Sequence, residues 1–167
     1  MREIIPWEEF TGRIEAKEAV NIRPRVGGVI QSVAYREGDL VSADDLLFVL
    51  DPEPFRTELK RAKAELSRIR AQATLAQLES RRARNLVKRK LLSQDEYDRR
   101  VATENQANAN VRAAEAATEL ARLNLSYTEV RSPINGRSGR ALMTKGNLVS
   151  SEPTPDLLTT VFSLDPV

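Results

Sequence analysis

The chain contains a pentapeptide, GDLVS at residues 38–42, that recurs with one change as GNLVS at residues 146–150. In both places another glycine lies ten residues before the pentapeptide, at Gly28 and at Gly136. Glycines at a fixed spacing between short apolar segments are typical of β-strands joined by tight turns. Two such units far apart in the chain predict two half-modules that pair in space and carry the intervening segment as an insertion.

The insertion has the composition of long helices. Residues 55–132 contain neither glycine nor proline and are rich in Ala, Arg, Leu, Glu and Gln. Apolar or small residues recur at alternating steps of four and three, which predicts a helix that packs along one seam. The seam of this first helix contains Phe55, Leu59, Ala62, Leu66, Ile69, Ala73, Ala76, Ser80, Ala83 and Val87. Beside it, Glu79 and Arg82 are spaced to form an ion pair on a solvated face.

The helical pattern breaks once, at Ser93. Ser93 and Glu96 have the spacing of a capping box, in which the hydroxyl and the carboxylate satisfy free N–H groups at a helix start. A second helix is therefore predicted to begin here and to end near Asn124. Its seam contains Tyr97, Val101, Ala107, Val111, Ala114, Thr118, Ala121 and Leu125. Because only a short turn separates the helices, they must form an antiparallel hairpin over residues 54–125, with its tip near residues 90–93.

The segments that flank the hairpin, residues 21–53 and 126–167, have the pattern of short strands. Apolar and β-branched residues are separated by Gly and Asp, and Asn135-Gly136 is a dipeptide typical of a tight turn. Neither half has enough strands to be stable alone. The predicted fold is α+β: a small β-sandwich with pseudo-two-fold symmetry, built from two half-modules and interrupted by a long antiparallel α-helical hairpin.

The composition argues against an enzyme. The 167 residues include no Cys and no His, which excludes disulfides, the usual zinc sites and catalysis by Cys or His. No Gly-x-x-x-x-Gly-Lys phosphate-binding loop is present, and no apolar run approaches the roughly 20 residues that span a bilayer. We therefore expect a protein without catalytic residues, cofactor or metal.

Four stretches resemble, in the right order, the periplasmic adaptor (membrane fusion) proteins of tripartite efflux pumps, in particular those that serve RND transporters. They are RPRVGGVI at residues 23–30, the GDLVS turn, YTEVRSPINGR at residues 127–137 and SLDP at residues 163–166. The resemblance implies that the sandwich is a lipoyl-like domain split by the hairpin. It also implies that the hairpin tip meets a TolC-type outer-membrane channel.

The family has a tip motif of Arg, three residues, Leu, six residues and Ser. Arg82, Leu86 and Ser93 match this spacing, so the resemblance implies that they bind the channel. Leu91 and Leu92 add apolar side chains at the turn, which fits docking onto a partner. The competing interpretation is structural. In it Arg82 is a solvated charge, Leu86 belongs to the seam and Ser93 only caps a helix.

The resemblance carries further expectations about assembly and location. It implies a periplasmic protein, anchored to the inner membrane at full length, that bridges an RND transporter and the channel. It also implies self-association into a ring, as a hexamer or a trimer of dimers, and further domains outside this sequence, with residues 1–20 leading out of a β-barrel. The basic residues near the tip are expected to steer the protein toward an acidic channel mouth, not to bind nucleic acid, because the net charge is only +2. They are Arg81, Arg82, Arg84, Lys88, Arg89 and Lys90, with Arg99 and Arg100 on the opposite helix.

Three other interpretations stay open. The chain could belong to an adaptor of an ABC-type exporter or of a type I secretion system. It could also be a structural coiled-coil scaffold, since Ala-rich seams suit lateral packing of hairpins. A lipoyl or biotin carrier would need its modified lysine at the turn between the half-modules, where the hairpin is inserted; Lys145 lies elsewhere.

Overall fold

The computed structural model describes residues 18–164, so most of the predicted segment 1–20 lies outside the described residues. Within this range the elements follow one another as β1 (Ala19–Ile22), β2 (Gly28–Val33), β3 (Leu40–Val41), β4 (Leu46–Leu50), α1 (Glu53–Lys88), α2 (Gln94–Ser126), β5 (Glu129–Arg131), β6 (Gly136–Ser138), β7 (Leu148–Val149) and β8 (Thr159–Phe162). Neither α1 nor α2 combines the length and the hydrophobicity needed to cross a membrane.

The strands form two sheets, and each sheet contains strands from both halves of the chain. One four-stranded sheet has the order β1-β8-β6-β3, and the other has the order β5-β4-β2-β7. Replacing each strand of the first half, β1 to β4, by its counterpart in the second half, β5 to β8, converts one order into the other. This confirms the predicted sandwich with pseudo-two-fold symmetry. Since each sheet takes strands from both halves, neither half can form its sheet alone.

The repeated pentapeptide is the element that interlocks the halves. Its first glycine has a positive φ in both copies, +82° at residue 38 and +91° at residue 146, a conformation that favours glycine. The two-residue strand that follows then crosses to the other half. β3 pairs with β6, where Val41 lies opposite Gly136, and β7 pairs with β2, where Val149 lies opposite Gly28. The spacing of ten residues between the two glycines in each copy is therefore the spacing between a strand start and its turn.

The first strand begins earlier than the predicted domain boundary at residue 20. Ala19 and Val20 pair with Phe162 and Val161 of β8, so they belong to the sandwich. Between the two sheets lies a core to which both halves contribute: Ile22, Val26, Ile30, Val41, Leu47, Phe48, Leu50, Val130, Val149, Leu158 and Val161. This core is the rigid base that carries the hairpin.

The two helices pack along the predicted seams. α1 has 36 residues, and at 1.5 Å per residue it is roughly 54 Å long. Every predicted seam residue of both helices is buried or half-buried. The fully buried positions are small side chains, which allow close helix approach: Ala73, Ala76, Ser80 and Ala83 in α1, with Ala114 and Ala121 in α2. α2 ends at Ser126, two residues beyond the predicted end.

Both ends of the hairpin are fixed to the sandwich. Phe55 at the start of α1 and Tyr127 after the end of α2 pack against the core. The Leu50 N–H donates to the Thr128 carbonyl at 2.8 Å, which joins the end of β4 to the segment that follows α2. The guanidinium carbon of Arg25 lies 5.0 Å from the centre of the Tyr127 ring. These contacts define the direction in which the sandwich projects the tip.

Candidate functional site at the hairpin tip

The turn at the tip is a Schellman motif, which ends α1 within one turn. The Leu91 N–H donates to the Leu86 carbonyl at 2.9 Å, and the Lys90 N–H donates to the Val87 carbonyl at 2.8 Å. Lys90 has a φ of 57°, the left-handed conformation that this motif requires. Since these bonds satisfy the last carbonyls of α1, the chain reverses direction over residues 89–93 and leaves the Leu91 side chain 69% exposed.

Ser93 caps the second helix, as predicted. Its Oγ accepts a hydrogen bond of 3.2 Å from the Glu96 N–H. The predicted reciprocal bond, from the Ser93 N–H to the Glu96 carboxylate, was wrong: that carboxylate is bound by Arg100 at 2.9 Å. Half of the capping box is therefore present, and Glu96 takes part in an ion-pair network instead.

Replacing Ser93 with alanine is expected to lower the free energy of unfolding by about 1 kcal/mol, because the Glu96 N–H loses its partner. Ser93→Asp keeps an oxygen acceptor at the cap and is expected to stay close to the parent. Urea unfolding followed by far-ultraviolet circular dichroism measures both variants. Equal stability of the Ala and parent proteins would show that the cap contributes nothing to folding.

A shallow groove lies between the two helices just below the turn. It has a volume of about 210 Å³ and is lined by Glu79, Arg82, Ala83, Leu86, Leu92, Glu96 and Arg100. The structure thus places three of the predicted tip residues, Arg82, Leu86 and Leu92, around one depression. Leu91 and Ser93 lie on the turn beside the groove and do not line it. The groove combines apolar side chains with charged ones, and Leu86 is 39% exposed.

Arg100 crosses the groove and binds both of its carboxylates. Its guanidinium lies 3.2 Å from Glu79 on α1 and 2.9 Å from Glu96 on α2. The hydrogen bond to Glu96, together with the charges of Glu96 and Glu79, raises the pKa of Arg100 above its usual value. The sequence analysis counted Arg100 among the basic residues near the tip but missed its contacts with Glu79 and Glu96.

The predicted ion pair between Glu79 and Arg82 was wrong. Glu79 is bound by Arg100, and the Arg82 guanidinium makes no hydrogen bond or ion pair with any residue between 18 and 164. Arg82 is also exposed. Arg82 is therefore a groove cation without a charged partner in the part of the chain that the structure describes.

The rest of the described chain offers weaker candidates. Two larger clefts, of about 630 and 600 Å³, lie along the sandwich, and none of the predicted tip residues lines either of them. Lys145 lies in the turn before β7, whereas the hairpin occupies the connection between β4 and β5. Among residues 18–164 no cluster of three or more acidic side chains could hold a metal ion.

Comparison with known proteins identifies the fold just described. A family described as RND MFP, barrel-sandwich hybrid domain, matches residues 18–161. The chain belongs to this family of membrane fusion proteins. This confirms the resemblance seen in the sequence and the lipoyl-like sandwich with its inserted hairpin.

Two relatives are longer than this chain. The chain is 40% identical over 159 residues to the multidrug export protein AcrE of Escherichia coli strain K12, a match that covers 95% of this chain and 41% of AcrE. It is also 41% identical over 162 residues to the efflux pump periplasmic linker BepF of Brucella suis biovar 1 (strain 1330). This match covers 97% of this chain and 39% of BepF. The chain therefore spans about two fifths of the length of these relatives.

Solved structures of membrane fusion proteins have the same architecture. A MacA-MexA chimera that contains the α-hairpin domain of Pseudomonas aeruginosa MexA is 28% identical, with a TM-score of 0.61 over 90% of this chain and 49% of the chimera. ZneB from Cupriavidus metallidurans is 27% identical, with a TM-score of 0.62 over 90% of this chain and 63% of ZneB.

Proposed function

We propose that this chain is the hairpin-bearing part of a periplasmic adaptor that links an inner-membrane RND transporter to a TolC-type outer-membrane channel. The observation that carries the proposal is the groove at the tip, where Arg82, Leu86 and Leu92 come together. Membership of the RND membrane fusion family and the names of the relatives, a multidrug export protein and a periplasmic linker, support the same role.

In this proposal the protein connects the transporter to the channel and catalyses no reaction. The sandwich sets the angle of the hairpin, and copies of the chain assemble side by side into a ring, as a hexamer or a trimer of dimers. The tips of the ring then engage the periplasmic end of the channel. Leu91 and the groove leucines exclude water from the contact, and Arg82 adds a directional charge. The energy for export comes from the transporter, and the full-length protein is anchored to the inner membrane.

The competing candidates make different predictions for the tip. An adaptor of an ABC-type exporter or a type I secretion system would also dock by its tip, but the family match to RND proteins favours an RND transporter. A coiled-coil scaffold would need only the seam, so substitutions in the groove would leave its function intact.

Arg82→Asp and Leu86→Ser are each expected to weaken binding to a purified TolC-type channel from the same source by about 30-fold or more, the effect of losing a central contact residue. Surface plasmon resonance with the channel in detergent measures the affinity. Far-ultraviolet circular dichroism establishes that helicity is unchanged.

Two matched controls use the same substitutions outside the groove. Arg81→Asp makes the same charge change one residue away, and Leu75→Ser makes the same apolar-to-polar change at a side chain that is 56% exposed on α1. Both are expected to bind within about threefold of the parent, as residues outside a contact centre usually do. Equal losses in the controls and the groove variants would contradict docking through the groove.

A further inference from the structure

Acidic and basic residues three apart form ion pairs along most of this hairpin. Wherever Glu precedes Arg by three positions on a helix, the two side chains can meet. Four such pairs form, at 2.5, 3.2, 2.6 and 3.7 Å: Glu53 with Arg56, Glu58 with Arg61, Glu65 with Arg68 and Glu119 with Arg122. The same spacing occurs twice at the tip, and there neither pair forms.

Arg100 contacts the carboxylates of both missing tip pairs. Glu79 would pair with Arg82, and Glu96 would pair with Arg99, but Arg100 binds both carboxylates. Arg99 finds another acidic partner, Asp95, at 2.9 Å. Arg82 finds none among residues 18–164.

Arg100 and its two carboxylates are less exposed than the ion pair at the base of the hairpin. The side chains of Arg100, Glu79 and Glu96 are 45%, 38% and 35% exposed, whereas those of the pair between Arg56 and Glu53 are 59% and 70% exposed. Solvent screens a less exposed ion pair less strongly. Arg100 also contacts two carboxylates at once, whereas Arg82 would contact one.

We infer that Arg100 is a positioning residue that holds Glu79 away from Arg82, so that Arg82 can pair with a carboxylate on the docking partner. This inference rests on the proposed function and adds the chemistry of the partner. The partner surface that fits is an acidic side chain next to apolar ones: the carboxylate meets Arg82, and the apolar groups cover Leu86 and Leu92. Arg100 itself stays in the groove, neutralised.

The charges of the groove make the inference testable. In the parent, two arginines and two glutamates line the groove, so their charges cancel. Arg100→Ala leaves a net charge of −1 in the groove and frees Glu79 to pair with Arg82. Adding Glu79→Gln removes that competitor and restores neutrality. The position of Glu79, and not the overall charge of the protein, should therefore decide whether Arg82 can act.

Affinity for the purified TolC-type channel is measured for the parent, Arg82→Asp, Arg100→Ala and the double variant Arg100→Ala/Glu79→Gln. We expect Arg100→Ala to weaken binding roughly threefold to tenfold, a typical effect of a peripheral charge, and the double variant to recover parent affinity. A control double variant, Arg100→Ala/Glu104→Gln, removes a carboxylate of α2 that has no ion pair among residues 18–164 and is expected to stay weak. Recovery only with Glu79→Gln distinguishes positioning from a general loss of hairpin stability.

A second measurement needs no partner. NMR exchange of the Arg82 Nε–H proton with solvent is expected to slow in Arg100→Ala, where Glu79 can accept that proton, and to return to the parent rate in the double variant. An unchanged Arg82 exchange rate in Arg100→Ala would overturn the inference even if the channel does not bind. If the parent binds and Arg82→Asp does not, parent-like binding by Arg100→Ala would overturn it and leave the proposed function standing. Failure of the parent to bind would count against the proposed function alone.

Discussion

Phe48→Ala is expected to lower the free energy of unfolding of the sandwich by about 3–5 kcal/mol. The Phe48 side chain is fully buried in β4, between β2 and β5, and its ring packs edge-to-face on Tyr35 with centroids 5.5 Å apart. Alanine would leave a cavity that the interlocked strands cannot close. Since domains are stable by only about 5–15 kcal/mol, the loss is a large fraction of the total.

Urea unfolding followed by near-ultraviolet circular dichroism, which reports on the packed tyrosines, measures this change. Phe162→Ala is the matched control, because Phe162 belongs to β8 but is 41% exposed. Phe162→Ala is expected to lower the free energy of unfolding by about 1 kcal/mol, because this ring buries a smaller area. Equal losses at the two positions would contradict the placement of the core between the two sheets.

Gly136→Ala is expected to destabilise the sandwich by about 3 kcal/mol, because it crowds a backbone that has no room to move. A Cβ at Gly136 would lie 2.8 Å from the Phe162 carbonyl carbon and closer still to its oxygen. β6 would have to separate from β8, its neighbour in the sheet.

The pseudo-two-fold symmetry supplies the control for this substitution. Gly28 is the counterpart of Gly136 in the first half, yet a Cβ there would meet only the Leu50 Cβ, at 3.8 Å. Gly28→Ala is therefore expected to change stability by less than about 1 kcal/mol, and thermal unfolding of both variants compares them. Of these two glycines, only Gly136 is crowded by its neighbours in the structure. Similar destabilisation by the two substitutions would contradict this difference.

The hairpin could be predicted in detail because its determinants are local. Heptad spacing defines which face of each helix is buried, and the Ser93 cap marks where the second helix begins. The repeated glycines likewise predicted two related halves. In each case residues close in sequence carry the information, so a pattern in the chain was enough.

The parts that could not be predicted depend on residues that meet only after folding. Asn135-Gly136 suggested a tight turn, but the Asn135 side chain instead accepts a hydrogen bond of 2.7 Å from the Ala43 N–H, and Gly136 begins a strand. The exchange of strands between sheets has no local signature at all. These features follow from tertiary packing, which overrides local turn preference.

The groove at the tip also contains residues that could be predicted from local sequence and a contact that could not. Arg82 and Leu86 were found from their spacing, whereas the contact of Arg100 with Glu79 was missed because it depends on the register between the two helices. That register is set by the length of the turn: once α1 is known to end at Lys88 and α2 to begin at Gln94, residues 79 and 100 fall opposite each other. A search for acidic and basic residues facing each other across the predicted hairpin would have found this pair.

The central claim, that the hairpin tip docks onto an outer-membrane channel, is tested most directly by site-specific cross-linking. The chain has no cysteine, so a single introduced cysteine can carry a photoreactive label at a known place. Leu91→Cys places the label on the turn, and Leu148→Cys places it on the sandwich, at side chains that are 69% and 74% exposed. With a purified TolC-type channel, we expect a cross-link from position 91 and none from position 148. A channel cross-link from position 148 alone, or equal cross-links from both, would contradict docking through the tip.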